Sequence, residues 1–279
     1  MLKFSSLLAL LFFAYLSSHG QDAKWKKWEA EADTLLNQEN FEEALKLYNK
    51  VIKASSLKEK DDFPALYKRA VCYYRLAQHE AALKDLDKFK EGYPSSYQAS
   101  ILRAFIYRDL EDMPKQLEVL NEALAMRPGE PGLIQWRAGI YLEEGKYEEV
   151  KTDMLYLKSL QDSPEVELYL GVAYYNLKEA DSALSFLNKA IELEPTYLPA
   201  YLYGGSFSLQ EGIYDLAIKY LDMALRLDPG NTNALFYKGI ALIELEKKDE
   251  GCTFLSRAFY AGEDDAGDYL KEYCYSSGN

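Results

Sequence analysis

Side chains equipped for catalysis are scarce in this chain. His19 and His79 are its only imidazoles. His79 falls in AQHEAAL, a stretch that reads as a solvated turn, and nothing beside it marks a nucleophile for a Ser–His–Asp relay. The cysteines, Cys72, Cys252 and Cys274, are widely spaced, and neither CxxC nor HExxH occurs, so no zinc site is indicated. Glu143–Glu144, Glu148–Glu149 and Asp264–Asp265 could be drawn as acid/base pairs. Adjacent residues on a helix do not face one another, however, and 45 acidic residues make such doublets common on solvated faces. Gly204–Gly205 lies in a helix-forming stretch, not behind a strand, so it is no phosphate loop. With no converging acid, base and nucleophile, the chain reads as a non-enzyme with no metal, cofactor or small-molecule substrate.

Charge narrows the partners. The formal net charge is −13, becoming −14 if Lys3 is removed with a leader. Such a surface repels phosphate backbones and anionic lipid, which argues against nucleic acid and leaves membrane contact only through a partner or an uncleaved leader. A leader is expected. Lys3 precedes a mainly apolar run of thirteen residues, Phe4 to Leu16, followed by Ser17–Ser18–His19–Gly20. A membrane span needs roughly 20 apolar residues, so residues 1–20 read as a secretory signal peptide cut between Gly20 and Gln21. An uncleaved anchor is the alternative. Either way the chain is expected to be exported, periplasmic or secreted, most readily in a bacterial periplasm.

One phrase recurs along the chain. Residues 183–195 read ALSFLNKAIELEP and residues 217–229 read AIKYLDMALRLDP. Further copies start at 44, 82, 116, 150 and 251, giving spacings of 38, 34, 34, 33, 34 and 34. Twelve residues before each copy stands a small residue: Ala32, Ala70, Ala104, Ala138, Gly171, Gly205 and Gly239. Three residues after that come Leu35, Tyr73, Tyr107, Tyr141, Tyr174, Ser208 and Leu242. A small residue on one helix lets a second helix approach closely, and apolar residues such as Ala183, Leu184, Leu187 and Ala190 follow helical spacing. Proline breaks a helix interior, and all nine prolines fall where this scheme puts helix boundaries.

A helix–turn–helix period of 34 residues resembles the tetratricopeptide repeat family across residues 25–263, with Trp28 at the large aromatic place of the first unit. The resemblance implies an all-α, right-handed superhelical solenoid of seven helix pairs. The units span about 25–58, 63–96, 97–130, 131–163, 164–197, 198–231 and 232–264, with a capping helix and tail over 265–279. The step of 38 predicts a longer loop near Lys58–Asp61. Gln116, Val150 and Gly251 replace the Ala that opens the phrase, which predicts less regular packing in the fourth and seventh units. Asp265 to Tyr275 reads as one further helix covering the end of the stack.

By the same resemblance, the first helix of each unit lines a concave groove that holds a protein or peptide. The places looking into it are Tyr67, Tyr74, Arg75, Gln98, Phe105, Arg108, Gln135, Tyr175, Asn176, Gln210 and Phe236. Rings, amides and arginines suit an extended peptide. Some family members grip a C-terminal carboxylate with Lys and Asn, but Glu29 and Asp33 occupy those places here. The expected role is an exported scaffold or adaptor; the alternative is a component of a cell-envelope assembly or secretion machine docking through its outer face. Cys72 reads as a buried free thiol. Cys252 and Cys274 are equidistant from a turn at Gly262–Asp264, so they share a height on an antiparallel pair. A disulfide would then require Cα atoms within roughly 4.4–6.8 Å.

Overall fold

The computed structural model describes residues 25–55 and 63–275. The leader read over residues 1–20, its cleavage point at Gly20–Gln21 and the loop expected near Lys58–Asp61 lie outside the described residues. The architecture is all-α: seven helix pairs and a short C-terminal helix, as the sequence implies. The chain divides into two compact units, Met1–Pro128 and Gly129–Asn279.

The first unit holds three hairpins: α1 (25–37) with α2 (Phe41–Ser55), α3 (Pro64–Arg75) with α4 (His79–Gly92), and α5 (Tyr97–Asp109) with α6 (Met113–Met126). The second holds α7 (Pro131–Glu143) with α8 (Tyr147–Leu160), α9 (Pro164–Asn176) with α10 (Ala180–Leu193), α11 (Leu198–Gln210) with α12 (Tyr214–Leu227), and α13 (Thr232–Glu244) with α14 (Lys248–Tyr260). After α14 comes α15 (Asp265–Tyr269), which runs into a π-helical turn, Leu270–Cys274, so the expected terminal helix is present but changes its winding partway. Pro64, Pro131 and Pro164 open first helices at the position where the missing N–H costs nothing.

Each hairpin closes at a buried crossing. In the first unit Ala32, Ala70 and Ala104 are fully buried, and Tyr48, Leu86 and Leu120 fill the facing places. In the second unit the small residue becomes glycine from the fifth hairpin on. A Cβ added at Gly205 would lie 2.6 Å from Leu221 Cγ, closer than any real Cβ contact. The seventh hairpin is tighter than its sequence suggests. Gly251 does not loosen the packing: a Cβ there would sit 2.8 Å from the Gly239 carbonyl oxygen, so two glycines bring the helices nearly backbone to backbone.

One turn serves all seven hairpins. Glu39, Ala77, Glu111, Gly145, Lys178, Gly212 and Glu246 each have positive φ, between 55° and 73°. Each stands five residues before its phrase. The following N–H donates back five residues to the carbonyl of Leu35, Tyr73, Tyr107, Tyr141, Tyr174, Ser208 or Leu242. This is the Schellman closure, which satisfies carbonyls a helix end would leave bare. Five of the seven left-handed positions carry a side chain, so glycine does not reveal the turn in the sequence.

Candidate functional site

In the first unit, the faces of α3 and α5 enclose an open trough of about 310 Å³. Five expected groove residues line it together: Tyr67, Tyr74, Arg75, Gln98 and Phe105. Val71, Tyr97, Ile101 and Leu102 complete the lining and were not anticipated. Val71 and Ile101 lie one turn of helix from Tyr74 and Phe105, so the three-to-four-residue spacing would have found them. The Tyr74 and Phe105 rings stand 6.5 Å apart across the trough, and Tyr67 leans on Phe89 at 5.6 Å. The floor is therefore aromatic and aliphatic.

Its cations are tethered at the edge. Arg75 Nη2 donates to Glu39 at 3.4 Å, and its guanidinium lies 4.5 Å from the Phe41 ring centroid. Arg108 lies outside the lining, paired with Asp109 at 2.9 Å and stacked 5.1 Å above Phe105. Glu29 and Asp33 are also occupied. Lys68 Nζ bonds Asp33 at 2.7 Å and Glu29 at 3.2 Å, and Tyr48 Oη donates to Asp33 at 2.6 Å. Burial and then the Asp33 carboxylate push the Tyr48 phenol far above its ordinary range. Burial opposes the charge on Lys68, but the two acids overcome it and hold the ammonium protonated.

His79 is the first residue of α4, where the sequence suggested a turn. Its ring lies 6.1 Å from Tyr74, and its Nδ1 is buried without a hydrogen-bond partner. Cys72 is fully buried, and burial pushes its thiol up to about 11, which keeps it in the unreactive form.

In the second unit the expected residues scatter. Tyr175 stacks face to face on Phe207, centroids 3.8 Å apart, and its hydroxyl donates to Gln210 at 3.2 Å. Asn176 Nδ2 donates to the Val172 carbonyl of its own helix. Gln135 lines a separate cavity of about 330 Å³ with Pro131, Leu157, Glu165 and Val166. Phe236 does not face a groove. It is 9% exposed and meets Tyr269 of α15 edge-on at 5.4 Å, so the terminal helix covers it. Only the packing of α15 decides this. A cavity of about 220 Å³ instead joins Leu202, Tyr203 and Ser206 of α11 to Asn233 and Tyr237 of α13.

Cys252 at the start of α14 and Cys274 at the end of the π turn are joined in a disulfide, their Cα atoms 5.8 Å apart. It ties down the segment that covers Phe236. Among the described residues, no three His, Cys, Asp or Glu gather where they could hold a metal, and no helix is long and apolar enough to cross a membrane.

Comparison with known proteins agrees with this architecture. Tetratricopeptide repeat families match residues 29–94 and residues 170–197. Human sperm-associated antigen 1 is 30% identical over 118 residues, and chicken DnaJ homolog subfamily C member 3 is 22% identical over 183 residues. These matches take in 40% and 62% of this chain but only 12% and 31% of those proteins, so the chain spans a minor part of either. The C-terminal part of a tetratricopeptide repeat protein from Cytophaga hutchinsonii superposes with a TM-score of 0.68 at 20% identity, covering 87% of this chain and 99% of that one. YrrB, described as having an unusual peptide-binding site, superposes with a TM-score of 0.52 at 20% identity over 67% of this chain and 97% of its own. At these identities the structures establish the fold alone.

Proposed function

We propose that this chain, a tetratricopeptide repeat protein by sequence and fold, is a non-catalytic scaffold that binds a protein segment on the faces of its first helices. One observation carries the reading: the trough on α3 and α5 gathers Tyr67, Tyr74, Arg75, Gln98 and Phe105 around an apolar floor. Rings cover apolar side chains, Gln98 can bond a peptide backbone, and Arg75 stands where an acidic group would pass. Concave, mostly apolar sites with a few polar groups are what ligand sites look like in general. YrrB supports the reading by analogy of fold.

The setting we propose is outside the cytoplasm, in a periplasm or secreted. The apolar run Phe4–Leu16 supports export. So does the Cys252–Cys274 disulfide, since such bonds persist where conditions are oxidising.

In-cell crosslinking with identification of captured proteins tests both parts. Tyr74→Ala with Phe105→Ala should abolish capture while leaving the melting temperature near wild type. Capture unchanged by that pair would end the trough assignment. Thiol labelling of the natural protein, unfolded but unreduced, should mark Cys72 alone; labelling of all three cysteines would end the oxidising setting.

A second reading, docking of an outer face onto a larger envelope machine, draws on α8. There Leu155, Tyr156 and Leu160 are 42%, 45% and 53% exposed. Leu155→Glu with Leu160→Glu should then release the protein from membranes on fractionation.

A further inference from the structure

The second unit carries a feature that the trough reading does not use. Two residues before the small residue of each first helix stand Trp136, Tyr169, Tyr203 and Tyr237, one aromatic ring per hairpin from α7 to α13. The corresponding places in the first unit are Ala30, Lys68 and Leu102, so the series belongs to the second unit. Tyr169, Tyr203 and Tyr237 lie along one face, and Trp136 holds the same register position on α7. Tyr203 and Tyr237 line the same cavity, with Asn233 and Ser206 between them. Burial, and then the nearby Tyr203 and Glu143, push the Tyr169 phenol above its ordinary range, and its hydroxyl reaches α7, lying 3.8 Å from where a Cβ of Gly139 would be.

Charge on this face has one sign. The only cations on α7, α9, α11 and α13 are Arg137 and Lys238. Both turn towards the second helices: Arg137 is bidentate to Asp153, and Lys238 pairs with Asp222 while lying 4.0 Å from the Phe254 centroid. The exposed acids remain. Glu143 acts on Tyr169, Glu165 on Tyr197 beside it, and Glu211 on Tyr175.

We propose that the ladder of Trp136, Tyr169, Tyr203 and Tyr237 binds a proline-rich, basic segment in the extended polyproline conformation. The proposal rests on the reading of the first-helix faces as protein-binding. Spacing selects this partner. The first helices α9, α11 and α13 pack on one another in succession; packed helices lie about 8–10 Å apart, and a polyproline helix repeats every three residues, about 9 Å. Each turn of such a peptide can lay a ring on successive rungs. Proline lacks an N–H but keeps a strong acceptor carbonyl, and phenol hydroxyls and the Asn233 amide are the donors that carbonyl needs. The uncompensated glutamates select arginine or lysine between the prolines.

Fluorescence anisotropy on the full chain tests the proposal, with labelled peptides of repeating Pro-Pro-Arg, Gly-Ser-Arg or Pro-Pro-Glu triplets of equal length. The Pro-Pro-Arg peptide should bind about tenfold or more tighter than either control. Tyr203→Ala and Tyr237→Ala should each weaken it about tenfold, as truncating an aromatic anchor does. Tyr203→Phe, which keeps the ring, should lose far less, and Glu165→Gln should reduce the salt sensitivity. Tyr203 is 41% exposed and only leans on Phe207, so its truncation should lower the melting temperature by a few degrees and leave the protein folded at the assay temperature. Equal binding of Gly-Ser-Arg would show charge attraction only and overturn the proposal. So would a stable Tyr203→Ala protein that binds Pro-Pro-Arg like the wild type. Tyr74→Ala with Phe105→Ala should not alter this binding. If in-cell capture fails with that pair while no proline peptide binds, the ladder falls and the trough reading stands.

Discussion

The hairpins of the first unit and the last three of the second are built from different materials. In the first unit the crossing residue is always alanine, and the first helices bear Lys68, Arg69, Arg75, Arg103 and Arg108. In the second the crossing passes to glycine at Gly171, Gly205 and Gly239, and the first helices bear aromatic rungs and glutamates. The space behind the crossing is filled accordingly. Arg69 makes two 2.6 Å bonds to Asp85, which is 5% exposed. In the sixth hairpin the same two places hold Gly204 and Tyr220, and a Cβ on the glycine would lie 2.9 Å from the ring. One hairpin is braced by a charged fork, the other by an aromatic plane against bare backbone. The frame thus tolerates opposite chemistry, provided the volumes at the crossing remain complementary.

That contrast can be broken by substitution. Asp85→Ala should cost the most, about 3 kcal/mol by denaturant titration, because it strands a largely buried guanidinium. The same change at Asp153, bidentate to Arg137, should cost nearly as much although it lies in the second unit. Arg69→Met with Asp85→Leu should recover most of the loss; if it does not, the fork is more than a space-filler.

Next comes Gly205→Ala, expected to destabilise by about 2 kcal/mol through overpacking against Leu221. Ala70→Gly in the first unit should cost about 1 kcal/mol, chiefly in helix propensity. Equal effects would mean that the crossings do not differ.

Glu167 offers a smaller, pH-dependent test. It is fully buried, one of its carboxylate oxygens has no partner, and the corresponding places hold Trp28, Leu66, Ser100, Ile134, Tyr201 and Leu235. Burial raises its pKa above the ordinary 4.5, and the Lys158 ammonium only partly offsets this. A folded-state value above the unfolded one means that this stabilisation is complete below the unfolded pKa and is lost as pH rises through the folded one. Glu167→Gln should therefore flatten the pH dependence of the melting temperature and gain most at neutral pH. An unchanged profile would refute the burial argument. The smallest effect expected is from Lys178→Gly at a left-handed turn, a gain of about 0.5–1 kcal/mol, since the side chain alone resists φ of 68°.

The five expected groove residues that meet in the first unit were legible because they repeat on one face of consecutive helices. Phe236 occupies the same periodic place yet lies under α15. Periodicity reports a face, and it cannot report what later covers that face. Trp136, Tyr169, Tyr203 and Tyr237 are equally periodic, and in sequence a ring that packs between helices looks the same as one that meets a partner.

The sequence by itself determined the paired helices, their small crossing residues and their proline-marked ends. All of these are local: helical period, steric room and the missing proline N–H act between residues within a turn or two of each other. The fold settled the Arg–Asp forks, the closing of the Cys252–Cys274 pair that the sequence placed only at one height, and the covering of Phe236 by α15. Each of these depends on how closely separate helices settle against one another, a distance set by the fit of whole side chains.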